Sequence, residues 1–370
     1  MTIRLWLPAA LACAAVCACG DAGEDGTPDA GRADASIPDA PPALDCTTAQ
    51  EHPEKLGCTG LYSDWASKTI SPTARLFKPG FELWSDGAVK SRWIELPPGT
   101  VIDVSDPNGW LFPVGTKVWK EFRLDTTTGP RPIETRLLWK RADGWLRTTY
   151  VWSVDGSEAN EVSEGVTDVP GTDGYDIPAR TLCLQCHAGR VDNLLGFEAV
   201  SLAAPEAVGL TYGELQRLGL LSSTNGKHTL PAAQLQVPGS QVERAGLGVL
   251  HANCGISCHN PIGSGGRFDA RLEIGEDGTL GDVLDTRAVR TMVNEISSYR
   301  PPGTPTGGLF YRLRPLDPTN STALERMGKR GTNQMPPIAT GKLDPAGVAA
   351  VTAWINAMTE ANGYPPPASP

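Results

Sequence analysis

The segment Cys183-Leu184-Gln185-Cys186-His187 is a C-x-x-C-H run, and Cys254-Gly255-Ile256-Ser257-Cys258-His259 repeats it with one additional residue between the cysteines. Two thiols so spaced can add to the two vinyl groups of a porphyrin while the adjacent histidine ligates its iron, so each run reads as a site of covalent c-type haem attachment. A redox dithiol or half of a zinc site would use the same cysteines, but the immediate His187 and the lack of a second C-x-x-C favour haem at the first run. The porphyrin fixes the distance between its vinyls, so the three intervening residues of the second run must bulge. Gly255 is expected to supply the unusual backbone angles.

A thioether stands on a proline-braced loop further along, in Asn333-Gln334-Met335-Pro336-Pro337. Lone methionines mostly pack cores, but the context of this one favours a soft, neutral axial ligand that stabilises ferrous iron. The expected set is two covalently bound c-type haems on Cys183, Cys186, Cys254 and Cys258, with His187 and His259 as proximal ligands and Met335 as the partner of His259. His228, His251 and Met292 are the candidates for the sixth ligand at the first run, although a structural or exposed role is the commoner one for each.

The elements that must position these groups fall into two kinds. Ser240 to His251 is a predicted helix with Val242, Leu247 and Leu250 inward, running into Cys254. Asp344 caps another with Pro345 at its first position, and Val348, Val351, Ile355 and Met358 recur on one face with Trp354 beside it. That face is expected to cross the helix before Cys254, and helices over 280–297 and 321–327 would complete the pocket. Earlier, over 61–162, the chain is strand-like and holds eight of the ten tryptophans. The runs 91–96, 117–122, 134–139 and 147–152 alternate or are rich in β-formers, with Pro97-Pro98-Gly99, Pro107-Asn108-Gly109 and Asp143-Gly144 between them. An antiparallel sandwich or small barrel is expected, its tryptophans read as core with a sugar-stacking platform as the alternative. Glu121, Glu134 and Arg136 read as the solvated face of strands, and no catalytic residue is assigned.

The remaining cysteines bear on the compartment. Arg4 followed by the apolar stretch Leu5 to Ala18 reads as an export signal too short to span a bilayer, and Val16-Cys17-Ala18-Cys19-Gly20 resembles a lipobox, so Cys19 is the expected lipidated N-terminus. The stretch 19–45 is dominated by Asp, Ala, Gly and Pro and cannot bury enough surface to order itself. Seven acidic residues against Arg32 in that tether account for six of the ten net negative charges. The remainder is mildly acidic and gives no case for nucleic acid. Cys46 and Cys58 follow, and a close pair in an exported chain reads as a disulfide.

The order of helix, haem run, loop methionine and closing helix resembles the monohaem cytochrome c fold over about 239–363. Together with Leu83-Trp84-Ser85-Asp86-Gly87-Ala88, Leu96-Pro97-Pro98-Gly99-Thr100, Phe112-Pro113-Val114-Gly115-Thr116, Glu134-Thr135-Arg136 and Leu250-His251-Ala252-Asn253-Cys254, it resembles a family of exported bacterial dihaem c-type cytochromes that joins a β domain to a cytochrome c domain. The match spans most of 60–360, and the three-residue gap after Cys254 departs from its usual two. The resemblance implies haem and electron transfer but no substrate.

The expectation is thus an α+β multidomain protein. A signal segment (1–18) and tether (19–45) precede an antiparallel β-rich domain (46–170), the first haem segment (171–238) and a mainly α cytochrome c-like domain (239–363). It would sit in the periplasm or on the outer membrane of a Gram-negative bacterium, held by its lipid anchor and exchanging electrons with redox partner proteins of the envelope. A peroxidase-like dihaem enzyme with an open first haem, or a carbohydrate- or surface-binding module carrying a cytochrome, are the alternatives.

Overall fold

The computed structural model describes residues 44–47, 52–304 and 308–368. The expected signal segment, Cys19 and nearly all of the expected tether lie outside them. Cys46 and Cys58 form a disulfide, and no helix among the described residues is long and apolar enough to cross a membrane.

The fold is mixed α+β, built on a seven-stranded sheet. Its strands are β1 (Arg75–Lys78), β2 (Val89–Glu95), β3 (Lys117–Thr126), β4 (Gly129–Arg141), β5 (Gly144–Trp152), β6 (Ala159–Val162) and β7 (Val208–Gly209). The order is β7-β1-β2-β3-β4-β5-β6, antiparallel at every pairing. This is one open sheet in place of the expected sandwich or barrel. The reason lies in what covers its faces.

Successive residues of a strand point to opposite faces, and the register groups them. Trp93, Trp119 and Leu137 share one row. They pack with Leu56, Leu61, Trp65, Trp139, Tyr150 and Trp152 in a core closed by the N-terminal segment. Thr59 accepts from the Trp119 indole at 2.9 Å, and the Pro53 carbonyl accepts from the Tyr150 hydroxyl at 2.7 Å. The opposite face belongs to the main core, where Phe77, Ile94 and Val118 join Leu202, Leu215, Leu247, Leu250, Trp354 and Ile355. Each such side chain, fully buried, contributes roughly 1.5–3 kcal/mol. Helices and loops therefore stand where a second sheet would.

Among the described residues the α-helices are α1 (Cys183–His187), α2 (Ala199–Ala203), α3 (Tyr212–Arg217), α4 (Gln241–Leu250), α5 (Arg287–Met292), α6 (Thr322–Met327) and α7 (Pro345–Ala357). Ser240 and Glu243 form a capping box at the start of α4. Asp344 caps α7 by accepting from the Gly347 amide at 2.9 Å. The two helices pack together where Gly246 lies flat on Trp354, and a methyl at Gly246 would stand 2.8 Å from that side chain. Val242 is exposed rather than inward. Helix α5 is much shorter than 280–297, because Thr286 caps its start and Val293 leaves it to pair with Leu313.

Candidate functional site

Both cysteine runs open into one cavity of about 830 Å³. Cys183, Cys186, His187, Cys254, Cys258, His259 and Met335 all line it. The two runs are in direct contact: the Cys258 thiol lies 3.6 Å from the Gln185 carbonyl, 73 residues away in sequence, and a methyl on Gly189 would meet the Ser257 carbonyl oxygen at 1.6 Å. A hydrogen bond between the Cys186 and Cys258 thiols raises the pKa of the first and holds the second down at about 6. Burial pushes Cys254 up to about 12. Among the described residues no three His, Cys, Asp or Glu side chains converge as a free-ion site.

The first run is a short helix, α1, entered through the tight turn Arg180–Leu182. Inside it the His187 ring nitrogen Nδ1 lies 2.6 Å from the Asn193 carbonyl oxygen. A carbonyl only accepts, so Nδ1 carries the proton and Nε2 keeps its lone pair for a ligand. Desolvation drives the His187 pKa down to about 4 against that hydrogen bond, with Arg147, Lys120 and Arg136 pushing the same way as desolvation. The imidazole is neutral at physiological pH, as a metal ligand must be.

The second run absorbs its additional residue by widening the helix. His251–Gly255 is a π turn, in which the Ile256 amide donates to the His251 carbonyl at 2.9 Å, followed by the His259 amide to Cys254 at 2.8 Å. Single π turns of this kind accommodate one inserted residue. Gly255 does not take a left-handed conformation, contrary to expectation. It is needed for close approach, since a Cβ there would stand 2.5 Å from the Arg271 amide nitrogen.

His259 is buried and stacked on Phe268 at 3.9 Å between ring centroids. Its Nδ1 has no hydrogen-bond partner among the described residues. Burial, then Arg326 and Arg312, hold its pKa at about 4.

Met335 is placed by a network that reaches back to the sheet. Its amide donates to the Arg326 carbonyl at 3.0 Å, and the following peptide bond to Pro336 is cis. Gln334 spans the loop by donating to the carbonyls of Pro336 and Thr340, each at 2.9 Å. Asp86, in the β1–β2 connection, accepts from the amides of Gly341 at 2.8 Å and Lys342 at 3.0 Å. Trp84 donates its indole N–H to the Lys342 carbonyl and its amide to the Asn253 side chain, at 3.0 and 2.7 Å. The Leu83-Trp84-Ser85-Asp86 stretch thus ties the methionine loop to the residue before Cys254.

The other ligand candidates divide. The Leu272 amide donates to His251 Nδ1 at 3.0 Å and Glu198 lies 3.3 Å from Nε2. Both ring nitrogens are therefore used structurally. His228 is outside the cavity wall, with Ser223 at 3.4 Å. Met292 is buried and lines the cavity.

The solvated-face reading of Glu121, Glu134 and Arg136 is corrected. Glu134 is 0 % exposed, and accepts from Arg136 at 2.6 and 2.7 Å and from the Tyr175 hydroxyl at 2.7 Å. Glu121 is also buried, beside Arg123 at 3.1 Å. Arg136 lines the cavity with Arg92, Lys120 and Arg147. Glu134 and Arg136 are on the sheet face that borders the cavity, so charge sits there, whereas Glu121 is on the opposite face with Trp119, buried under the N-terminal segment. None of the eight tryptophans of the sheet region is fully exposed.

The chain gives no match to any family model, to any curated protein or to any solved structure with which it was compared.

Proposed function

We propose that this chain is a dihaem c-type cytochrome, an electron carrier of the bacterial cell envelope anchored through a lipid on Cys19. The observation that carries the reading is convergence: four motif cysteines, two neutral histidines and one loop methionine line a single cavity. That set suits haem, since it offers thiols for covalent attachment, imidazole and thioether for iron, and an enclosure of the size that holds organic cofactors. Haem, when bound, supplies an iron that gains or loses one electron.

The chain's own residues do the rest. Cys183 with Cys186, and Cys254 with Cys258, fix each porphyrin; His187 presents Nε2 because Asn193 takes the proton on Nδ1. Met335 offers a neutral donor on a loop braced by Gln334, Asp86 and Trp84. In this reading α4, α7 and the methionine loop form a cytochrome c-like domain, and the partners are redox proteins of the envelope.

Expression in a bacterial periplasm with haem-maturation factors, followed by haem quantitation and mass measurement, tests it. Two covalent haems per chain are expected; one or none refutes the dihaem assignment. Met335→Ala should abolish the methionine-to-iron charge-transfer band of the ferric protein, and a band left intact would show that another side chain serves.

A further inference from the structure

Arg92 on β2, Lys120 on β3 and Arg136 on β4 are direct cross-strand neighbours, with Arg92 opposite Lys120 and Lys120 opposite Arg136. All three line the cavity. Like charges placed directly opposite one another destabilise a sheet, so an uninterrupted row of three calls for a counter-charge.

The protein supplies only part of it. Glu82 takes Arg92 at 2.9 Å and lies 3.7 Å from Lys90, while both oxygens of Glu134 are committed to Arg136. Lys120 has no ion pair among the described residues; its ammonium stands 4.6 Å over the Phe122 ring. Arg92 is 6 % exposed, yet its Nη1 has no hydrogen-bond partner. Lys78 also takes Glu82, at 3.2 Å, so five cations have two carboxylates between them, and the unused donors belong to cavity-lining residues. Phe77, Val118 and Leu138 flank the row on the same wall, so the complement is an acid group carried on an apolar body.

We propose that the row Arg92, Lys120 and Arg136 is a carboxylate-binding site, taking one or two carboxylates borne by an apolar molecule inside the cavity. Arg92 would donate through Nη1 and Lys120 through its ammonium, charge-assisted bonds about twice as strong as neutral ones. Two sources have this chemistry: the propionates of a porphyrin, which rests on the haem reading, and a free amphiphilic acid, which does not.

The experiment uses the full chain carrying porphyrin labelled with ¹³C at the propionate carboxyls through 5-aminolevulinate, in wild type and Lys120→Met. Redox-difference infrared spectra should show labelled carboxylate bands that move in the variant if the porphyrin supplies the acid. Calorimetric titration with sodium octanoate should instead show saturable binding, weakened at least tenfold in the variant, if the ligand is free. Unmoved bands together with no octanoate binding would overturn the site. Should Lys120→Met fail to fold, Arg92→Gln provides the same comparison. Haem content is counted first: if the dihaem reading fails, the octanoate arm alone decides, and no binding there also overturns the site.

Discussion

The surroundings of His187 and those of His259 solve the same problem in opposite ways. His187 is oriented at its far nitrogen by a backbone carbonyl, and faces cations from the sheet. His259 has no such orienting bond; it is held flat by Phe268, and the group expected to partner it, Met335, is fixed from a distance by Asp86 and Trp84. In the first region the chain fixes the histidine ring, in the second the loop opposite it. Under the proposed haem reading, holding either side of an iron would define its coordination, and the two choices leave different parts of the site free to vary.

The largest test of that contrast removes one region at a time. Paired replacement of Cys183 and Cys186 by Ser should leave one haem that keeps the methionine charge-transfer band; the same change at Cys254 and Cys258 should leave one haem without it, read by mass and optical spectra. The band surviving in both would break the contrast. Next in size is Glu198→Ala, expected to cost about 3 kcal/mol in denaturant unfolding, because it strips a buried carboxylate from His251 and the Val200 and Ser201 amides. Burial raises the pKa of Glu198, but His251, Arg190 and Ser201 outweigh it and hold the group at about 2. A carboxyl lowered on folding contributes stability above its ordinary value of 4.5, and that stability is lost as pH falls towards 2. The variant's stability should therefore vary less over that acid window, and an identical slope would remove Glu198 from the account.

Asp86→Ala should cost about 2 kcal/mol through two orphaned amides and weaken the methionine band while sparing the spectrum of the first haem. Equal effects on both haems would show that the two regions are not separately held. The smallest effect is expected at Asn193, which sits at φ 58° and bonds Arg147 through its side chain. Asn193→Ala should cost about 1 kcal/mol and loosen the His187 ring, seen as a shifted imidazole resonance. Asn193→Gly should recover part of the loss.

Much of this was legible from local pattern. The runs 91–96, 117–122, 134–139 and 147–152 fall within or largely within strands β2, β3, β4 and β5, the helix expected from Ser240 begins there, and the cap at Asp344 starts the helix it signals. Local pattern reports one element at a time, and what it hides is what lies opposite. That Arg92, Lys120 and Arg136 share a row follows from strand register. The use of both His251 nitrogens depends on Leu272 and Glu198, distant in sequence. Asp86 could have been singled out only as part of the Leu83 to Ala88 motif, with no indication that its carboxylate would meet the amides at 341 and 342.

Gly189 carries a consequence for how such a chain can change over generations. With the Ser257 carbonyl oxygen 1.6 Å from where its Cβ would be, even the smallest substitution drives two backbones apart. This contact makes the ancestry of one run conditional on that of the other. It also gives an engineer a dial: replacing one hydrogen with a methyl would widen the spacing between the two cysteine runs without altering any cysteine, histidine or methionine.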